Sequence, residues 1–244
     1  MTIRLFEVGG SIRDWLMGID NPPDRDFCAV SSGGWEDLLD WCHENMKRVF
    51  LITPEFFTVR GMAMNGTAID IVMCRKDGPS LDGRHPKHVE PGSLLDDLAR
   101  RDFTVNAMAR EVDPETLEPI GDLIDPFDGR KDLLHRRLKC VGETSHRLNE
   151  DGLRILRAAR FAVTKELVLE IGLSRCLHNE VWWRWVDGTV SIERIREEIQ
   201  KMTKHSTVGT LRFLQHHCHP IAIDVLFHGR MWLKPTLEKK KVNF

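Results

Sequence analysis

Two aspartates two positions apart, Asp24 and Asp26, stand in Asp24-Arg25-Asp26-Phe27-Cys28-Ala29-Val30, a run that reads as a β-strand. Side chains alternate along a strand, so both carboxylates share one face and Arg25 and Phe27 the other. Carboxylates that close repel unless a cation lies between them. Hard oxygen donors suit Mg2+, whose shell substrate phosphates can complete. A solvated strand edge is the plain alternative. A third carboxylate, Asp70, interrupts the apolar strand Ala68-Ile69-Asp70-Ile71-Val72-Met73. It needs a neutralising partner, and a share in the metal site or an ion pair with an arginine such as Arg60 would serve equally.

Phosphate chemistry has its own candidates. In Gly9-Gly10-Ser11-Ile12-Arg13-Asp14, glycines let the backbone approach a ligand and a helix start offers unpaired N–H groups. Arg13 adds a charged fork. A tight strand-to-helix turn without a ligand explains the glycines equally well. Arg100-Arg101-Asp102-Phe103-Thr104-Val105-Asn106-Ala107 gathers groups that bind phosphate and ribose hydroxyls, or that pair with one another.

In Glu150-Asp151-Gly152-Leu153-Arg154-Ile155-Leu156-Arg157-Ala158-Ala159-Arg160-Phe161, steps of three put Asp151, Arg154, Arg157 and Arg160 on one helix face. Ile155, Leu156 and Ala159 take the opposite arc. Asp151 accepts and Arg154 donates, which together can meet a base edge, leaving Arg157 and Arg160 for phosphates. A basic solvated face with Asp151 paired to Arg154 is the alternative. His216-His217-Cys218-His219 makes a poor metal site, because adjacent residues on a helix point in different directions.

The positioning elements are legible around these residues. Residues 3–8 read as a strand, followed by a helix from Ile12 to about Met17 closed by Gly18. Residues 35–47 read as a helix. Two strands, 57–64 and 67–73, flank Asn65-Gly66, which predicts a type I′ hairpin turn. The Gly-, Pro-, Asp- and His-rich stretch 76–92 reads as a mobile surface loop. Ser93 caps a helix with Asp96 in the capping-box position. From about Leu133 the pattern turns helical, with helices over 149–164 and from Ser191 to about Lys204.

The chain has 244 residues, 41% hydrophobic and 30% charged, enough for one large domain or two small ones. No apolar run approaches the ~20 residues of a membrane span, and Glu7 and Asp14 interrupt any signal-peptide core. Six cysteines without a C-x-x-C spacing argue against a zinc ribbon and fit a reducing, cytoplasmic setting. The net charge of −2 conceals a split: residues 1–129 carry 13 basic and 24 acidic side chains, residues 130–244 carry 22 and 13. An acidic half beside a basic half suggests a cation site next to a surface for a polyanion.

The order of these signals resembles the class II CCA-adding enzymes, the tRNA nucleotidyltransferases related to bacterial poly(A) polymerases. Supporting matches are Asp77-Gly78 with Asp82-Gly83-Arg84-His85-Pro86, Asp125-Pro126-Phe127-Asp128-Gly129 and Ser191-Ile192-Glu193-Arg194-Ile195. The resemblance covers roughly residues 3–204. It implies an α+β, polymerase-β-like head with a small mixed sheet over residues 1–135, a helical neck over 136–204 and an abbreviated body over 205–244. It implies Mg2+ on Asp24 and Asp26, with Asp70 as a further catalytic acid. Nucleotide binding would fall to Gly9, Gly10, Ser11, Arg13, Arg101, Asp102 and Asn106. Asp151 and Arg154 would read the base, and Arg157 and Arg160 the phosphates.

The implied function is template-independent addition of C and A to the 3′ end of tRNA from CTP and ATP. The stretch 76–92 would be the loop used in switching from C to A. Poly(A) polymerase, a specialised A-adding enzyme and a non-catalytic RNA-binding protein are the rivals. Nucleotidyl transfer to a small molecule is a weaker one, disfavoured by the basic C-terminal half. Three departures stand out, the first being that the acidic residue matching Asp70 is often Glu in relatives. Only about 40 residues follow the neck, so the grip on tRNA is expected to be shortened or completed by a partner or a homo-oligomer. Gly152 stands where the family usually has proline.

Overall fold

The computed structural model describes residues 3–19, 25–78 and 89–227. Its strands are β1 (Ile3–Val8), β2 (Asp26–Ser31), β3 (Met46–Thr53), β4 (Thr58–Ala63), β5 (Ala68–Met73), β6 (Arg75–Asp77), β7 (Val89–Pro91), β8 (Ala109–Val112), β9 (Pro119–Ile124), β10 (Arg137–Leu138) and β11 (Val168–Leu169). Its helices are α1 (Gly10–Leu16), α2 (Trp35–Asn45), α3 (Leu94–Ala99), α4 (Gly129–Leu134), α5 (Thr144–Glu150), α6 (Leu153–Thr164), α7 (Ile171–Leu177), α8 (Glu180–Thr189), α9 (Ile192–His217) and α10 (Ile221–Phe227).

The first half is a seven-stranded mixed sheet in the order β3-β4-β5-β2-β1-β8-β9, in which β2 and β5 form the parallel pair. Period-two alternation sorts the side chains. Phe27, Ala29, Val59, Ile69 and Ile71 pack on the face covered by Leu38 and Cys42 of α2, while Phe6, Val8, Cys28 and Cys74 pack on the other face with Leu98 of α3. The second half is helical, and its core, from Leu138 to Leu226, takes in Phe103 and Val105 from the chain just before β8.

Several local expectations meet a different outcome. The strand β3 follows α2 directly, because Met46 leaves the helix in an extended conformation with no turn residue to announce it. The hairpin turn is not type I′. Asn65 keeps a negative φ and only Gly66 is positive, at 86°. Gly66 donates to the Ala63 carbonyl and Ala63 to that of Thr67, the pattern of a type I turn closed by a glycine bulge. The expected loop 76–92 has strand ends, β6 and β7, paired antiparallel, and its residues 79–88 lie outside the described residues. The helix expected over 149–164 is broken at Asp151, which is extended, and restarts at α6. The helix expected to end near Lys204 continues through a break at Ser206 (φ −158°, ψ 107°). The capping box is present: Asp96 N–H donates to Ser93 Oγ, and Ser93 N–H donates to Asp96 Oδ2.

Candidate active site: an arginine-walled cavity with a carboxylate mouth

A cavity of about 620 Å3 opens between the sheet's first turn and the helices. Gly9, Gly10, Arg13, Asp26, Arg101, Asp102, Asn106, Asp151, Arg154, Arg157 and Arg160 all line it. These are residues the sequence singled out, drawn from four segments between Gly9 and Arg160. Ser11 is not on the wall; it is buried and its hydroxyl donates to the Val8 carbonyl. Asp70 stands one strand outward, and Asp24 lies outside the described residues.

Gly9 leads α1 at φ 77°, a left-handed conformation that glycine adopts without strain. A Cβ there would also stand 2.8 Å from an Arg101 guanidinium nitrogen and would push that side chain aside. The Arg101 guanidinium is held over this turn by Asp97, which α3 presents fully buried. Asp97 accepts from Arg100 Nε at 3.0 Å and from Arg101 Nη2 at 3.0 Å. Burial would raise this carboxyl, but the charges of Arg101 and Arg100 outweigh it and its pKa is lowered.

The next layer is a bridged network. Asn106, in the 3-10 turn Thr104–Asn106, accepts from Arg13 Nη1 at 2.5 Å and donates to Asp102 Oδ1 at 3.0 Å. Asp102 also accepts from Phe103 N–H at 2.8 Å and from Arg157 Nε at 2.7 Å. Burial pushes its carboxyl up, yet the Arg157 charge and these donors win and hold it at about 2. Arg13 is itself buried and donates to Asp14 at 2.9 Å, which also accepts from Lys165 of the helical half.

The α6 face carries its arginines as the periodicity requires, but none is merely solvated. Arg160 Nε donates to the buried Glu198 of α9 at 2.5 Å. Arg154 donates to Glu150 and to the carbonyls of Arg147 and Arg100. Asp151 accepts from Leu153 N–H and from Arg194 Nη2, each at 2.9 Å. Asp151 and Arg154 therefore bond to separate partners and not to each other, and both line the cavity. Arg194 Nη1 is buried without a hydrogen-bond partner. The Phe161 ring sits beneath three guanidiniums, Arg13 at 4.9 Å, Arg157 at 5.5 Å and Arg160 at 4.2 Å, which its π-face attracts.

At the mouth, Asp26 and Asp70 are register partners across β2 and β5, which brings two carboxylates to one sheet face. Asp70 takes a bidentate fork from Arg60, Nε at 2.6 Å and Nη2 at 2.5 Å. Both partners considered for Asp70 are thus adjacent to it, and the arginine is the one in contact. Among the described residues no three His, Cys, Asp or Glu side chains cluster closely enough to hold a metal ion. The pair Asp26 and Asp70 nonetheless fits a hard divalent cation that leaves most of its shell to water and phosphate oxygens. Arg25, next to Asp26, is locked by the buried Glu7 through two bonds of 3.0 Å. Burial pushes the Cys42, Cys140 and Cys218 thiols up to about 12, and thiols so protonated are poor nucleophiles.

Asp97, Phe161, Arg194, Glu198 and Lys201 were not among the predicted site residues. Readable signals existed for Asp97, in its i, i+3 and i, i+4 spacing to Arg100 and Arg101, for the Glu198–Lys201 pair, in its i, i+3 spacing, and for Phe161 and Arg194, which stand inside the quoted motifs.

Comparison with known proteins adds a family and its limits. Residues 5–139 match the model of the poly A polymerase head domain. The CCA-adding enzyme of Leuconostoc citreum is 33% identical over 204 residues, 81% of this chain and 45% of that protein. The crystal structure of the Bacillus stearothermophilus CCA-adding enzyme in complex with CTP superposes with a TM-score of 0.69 at 28% identity, covering 87% of this chain and 47% of that one. The Thermotoga maritima CCA-adding enzyme complexed with tRNA matches with a TM-score of 0.69 at 25% identity, over 96% and 50%. The chain spans about half the length of these relatives.

Proposed function

The chain belongs to the poly A polymerase head-domain family, and on that premise we propose that it adds C and A residues to the 3′ end of tRNA from CTP and ATP. One observation carries the reading: a single cavity gathers the glycine turn, the arginines and Asp151, with Asp26 at its mouth. In this reading residues 1–135 form the catalytic head, 136–204 the base-reading neck and 205–244 a short RNA-contacting body. The six free thiols are in keeping with a cytoplasmic setting, and among the described residues no helix is long and apolar enough to cross a membrane.

Asp26, with Asp24 and Asp70, would hold Mg2+. When bound, the metal supplies a lowered pKa at the RNA 3′-hydroxyl and charge stabilisation at the leaving pyrophosphate. The protein's own contribution is positioning. The Gly9-Gly10 backbone lets the triphosphate come close, while Arg13, Arg101, Arg157 and Arg160 neutralise it. Their guanidiniums are already fixed by Asp97, Asn106, Asp102 and Glu198, so little reorganisation is needed when charge develops. Cytosine and adenine both pair an exocyclic amino donor with a ring-nitrogen acceptor. The Asp151 carboxylate and Arg154 guanidinium complement that pattern, whereas G and U reverse it.

The test uses tRNAs lacking the terminal CCA, CA or A, each with one nucleotide triphosphate at a time. Incorporation of C, C and then A, followed by arrest, is expected. Long A tracts on unrelated RNA would overturn this reading in favour of a poly(A) polymerase. RNA binding without any incorporation would favour a non-catalytic protein.

A further inference from the structure

Arg60 has no part in the cavity, yet it occupies both oxygens of Asp70. The sheet register places these groups in one row: Leu51 of β3 opposite Arg60 of β4, Arg60 opposite Asp70 of β5, and Asp70 opposite Asp26 of β2. Paired residues on neighbouring strands project from the same face, so the row runs from the edge of the sheet to the cavity mouth. The opposite face of these strands is filled by Val59, Ile69 and Ile71 against α2. On the row's own face Arg60 is 58% exposed, and Leu51 on the outer strand is 54% exposed. Phe50, beside it, is 45% exposed, with the Arg48 guanidinium 5.6 Å from its ring.

We propose that Arg60 is a two-position residue: it neutralises Asp70 until a divalent cation takes that carboxylate, and then pairs with a phosphodiester of the acceptor RNA strand. The inference rests on the nucleotidyl-transfer reading and adds to it a binding residue on the acceptor side. A guanidinium fork and a cation compete for the same two carboxylate oxygens, so loading one loosens the other. In-line displacement sets the attacking oxygen opposite the leaving group. The arginine wall that suits the triphosphate lies on the inner side of Asp26, so the 3′-hydroxyl comes from the outer side, along the row. The phosphodiester behind that hydroxyl then falls beside Arg60, and the exposed Phe50 and Leu51 offer an apolar platform for a base. A guanidinium matches a phosphate as well as it matches a carboxylate, which makes the exchange nearly balanced.

The experiment uses the full chain, wild type beside Arg60→Met and Arg60→Lys. Binding of Mn2+ alone, read from the free-ion paramagnetic resonance signal, is expected to tighten about two- to fivefold in Arg60→Met, the range an exposed ion pair supplies. Arg60→Lys should fall between the two. Affinity for a single-stranded RNA ending in CC, measured with Mg2+ across a salt series, should lose about 0.7 from its log–log slope in Arg60→Met, one single-strand phosphate contact. Unchanged or weaker Mn2+ binding, or an unchanged slope, overturns the proposal. Thermal midpoints check folding, and if the Met variant does not fold, Arg60→Gln, which also removes the charge, carries both readouts. A wild type that binds Mn2+ and RNA as expected but extends no tRNA would instead sink the nucleotidyl-transfer reading.

Discussion

The inner wall of the cavity and its carboxylate mouth solve opposite problems. On the wall, Arg101, Arg157 and Arg160 are held by the buried acids Asp97, Asp102 and Glu198, the buried Arg13 by Asn106 and Asp14, and Arg154 by backbone carbonyls and the more exposed Glu150. At the mouth, Asp70 is held by one arginine that is mostly in solvent. Buried pairs resist removal of either member, and exposed ones exchange at little cost. The wall is thus built to stay, and the mouth to be re-partnered during a reaction cycle.

Breaking each side should therefore give different signatures. Asp26→Ala should reduce nucleotide incorporation by about 100- to 1,000-fold, the scale of losing a charge-stabilising group, while the thermal midpoint stays near wild type. A large fall in midpoint would mean the mouth is structural. Asp97→Ala should do the reverse first, costing about 3 kcal/mol of folding stability because two arginines lose a fully buried partner. Denaturant titration reads this directly, and a loss below about 1 kcal/mol would demote Asp97 to a surface-like pair.

Acid sharpens the contrast. A carboxyl held near 2 in the folded state stabilises the fold at pH above its unfolded value and loses that contribution as pH falls through the folded value. Between about pH 5 and about pH 2, wild type should lose about 2 kcal/mol that Asp102→Asn does not lose. Parallel stability curves for the two proteins would contradict the wall's electrostatics. The smallest effect concerns Gly152, which caps α6. A Cβ on Gly152 would stand 2.7 Å from Thr189 Oγ1 and 3.1 Å from Val190 Cγ2. Gly152→Ala should then cost about 1 kcal/mol from overpacking, and an unchanged stability would show that α8 yields.

Much of this site was visible as spacing, and what was hidden has a physical reason. A three-residue step is enough to align Arg154, Arg157 and Arg160, and alternation is enough to put Asp70 on the face opposite Ile69 and Ile71. Arg60 was already one of two readings for Asp70. The partner of Arg160 was not legible: Glu198 lies 38 positions away on another helix, and no local pattern encodes that distance. The place of the Phe161 ring was not legible, since stacking under three arginines depends on where α6 meets α1. The strand β3 was lost to the helix before it, because no glycine or proline separates them. The turn at Asn65-Gly66 was located but mistyped, since the same dipeptide serves both a two-residue turn and a bulged one. At domain scale, periodicity separates a strand-bearing first half from a helical second half, whereas the mixed sheet was an implication of the family resemblance, because pairing direction leaves no mark in a strand's own alternation.

Phe103 belongs to the sheet half by sequence but to the helical half by packing: its ring meets Phe161 edge-on with centroids 5.7 Å apart. A fragment ending at residue 135 would present that ring and Val105 to water, inviting self-aggregation rather than a soluble catalytic module. Calorimetry of the whole chain should show a single melting peak across the junction, because neither half can come apart without opening the other.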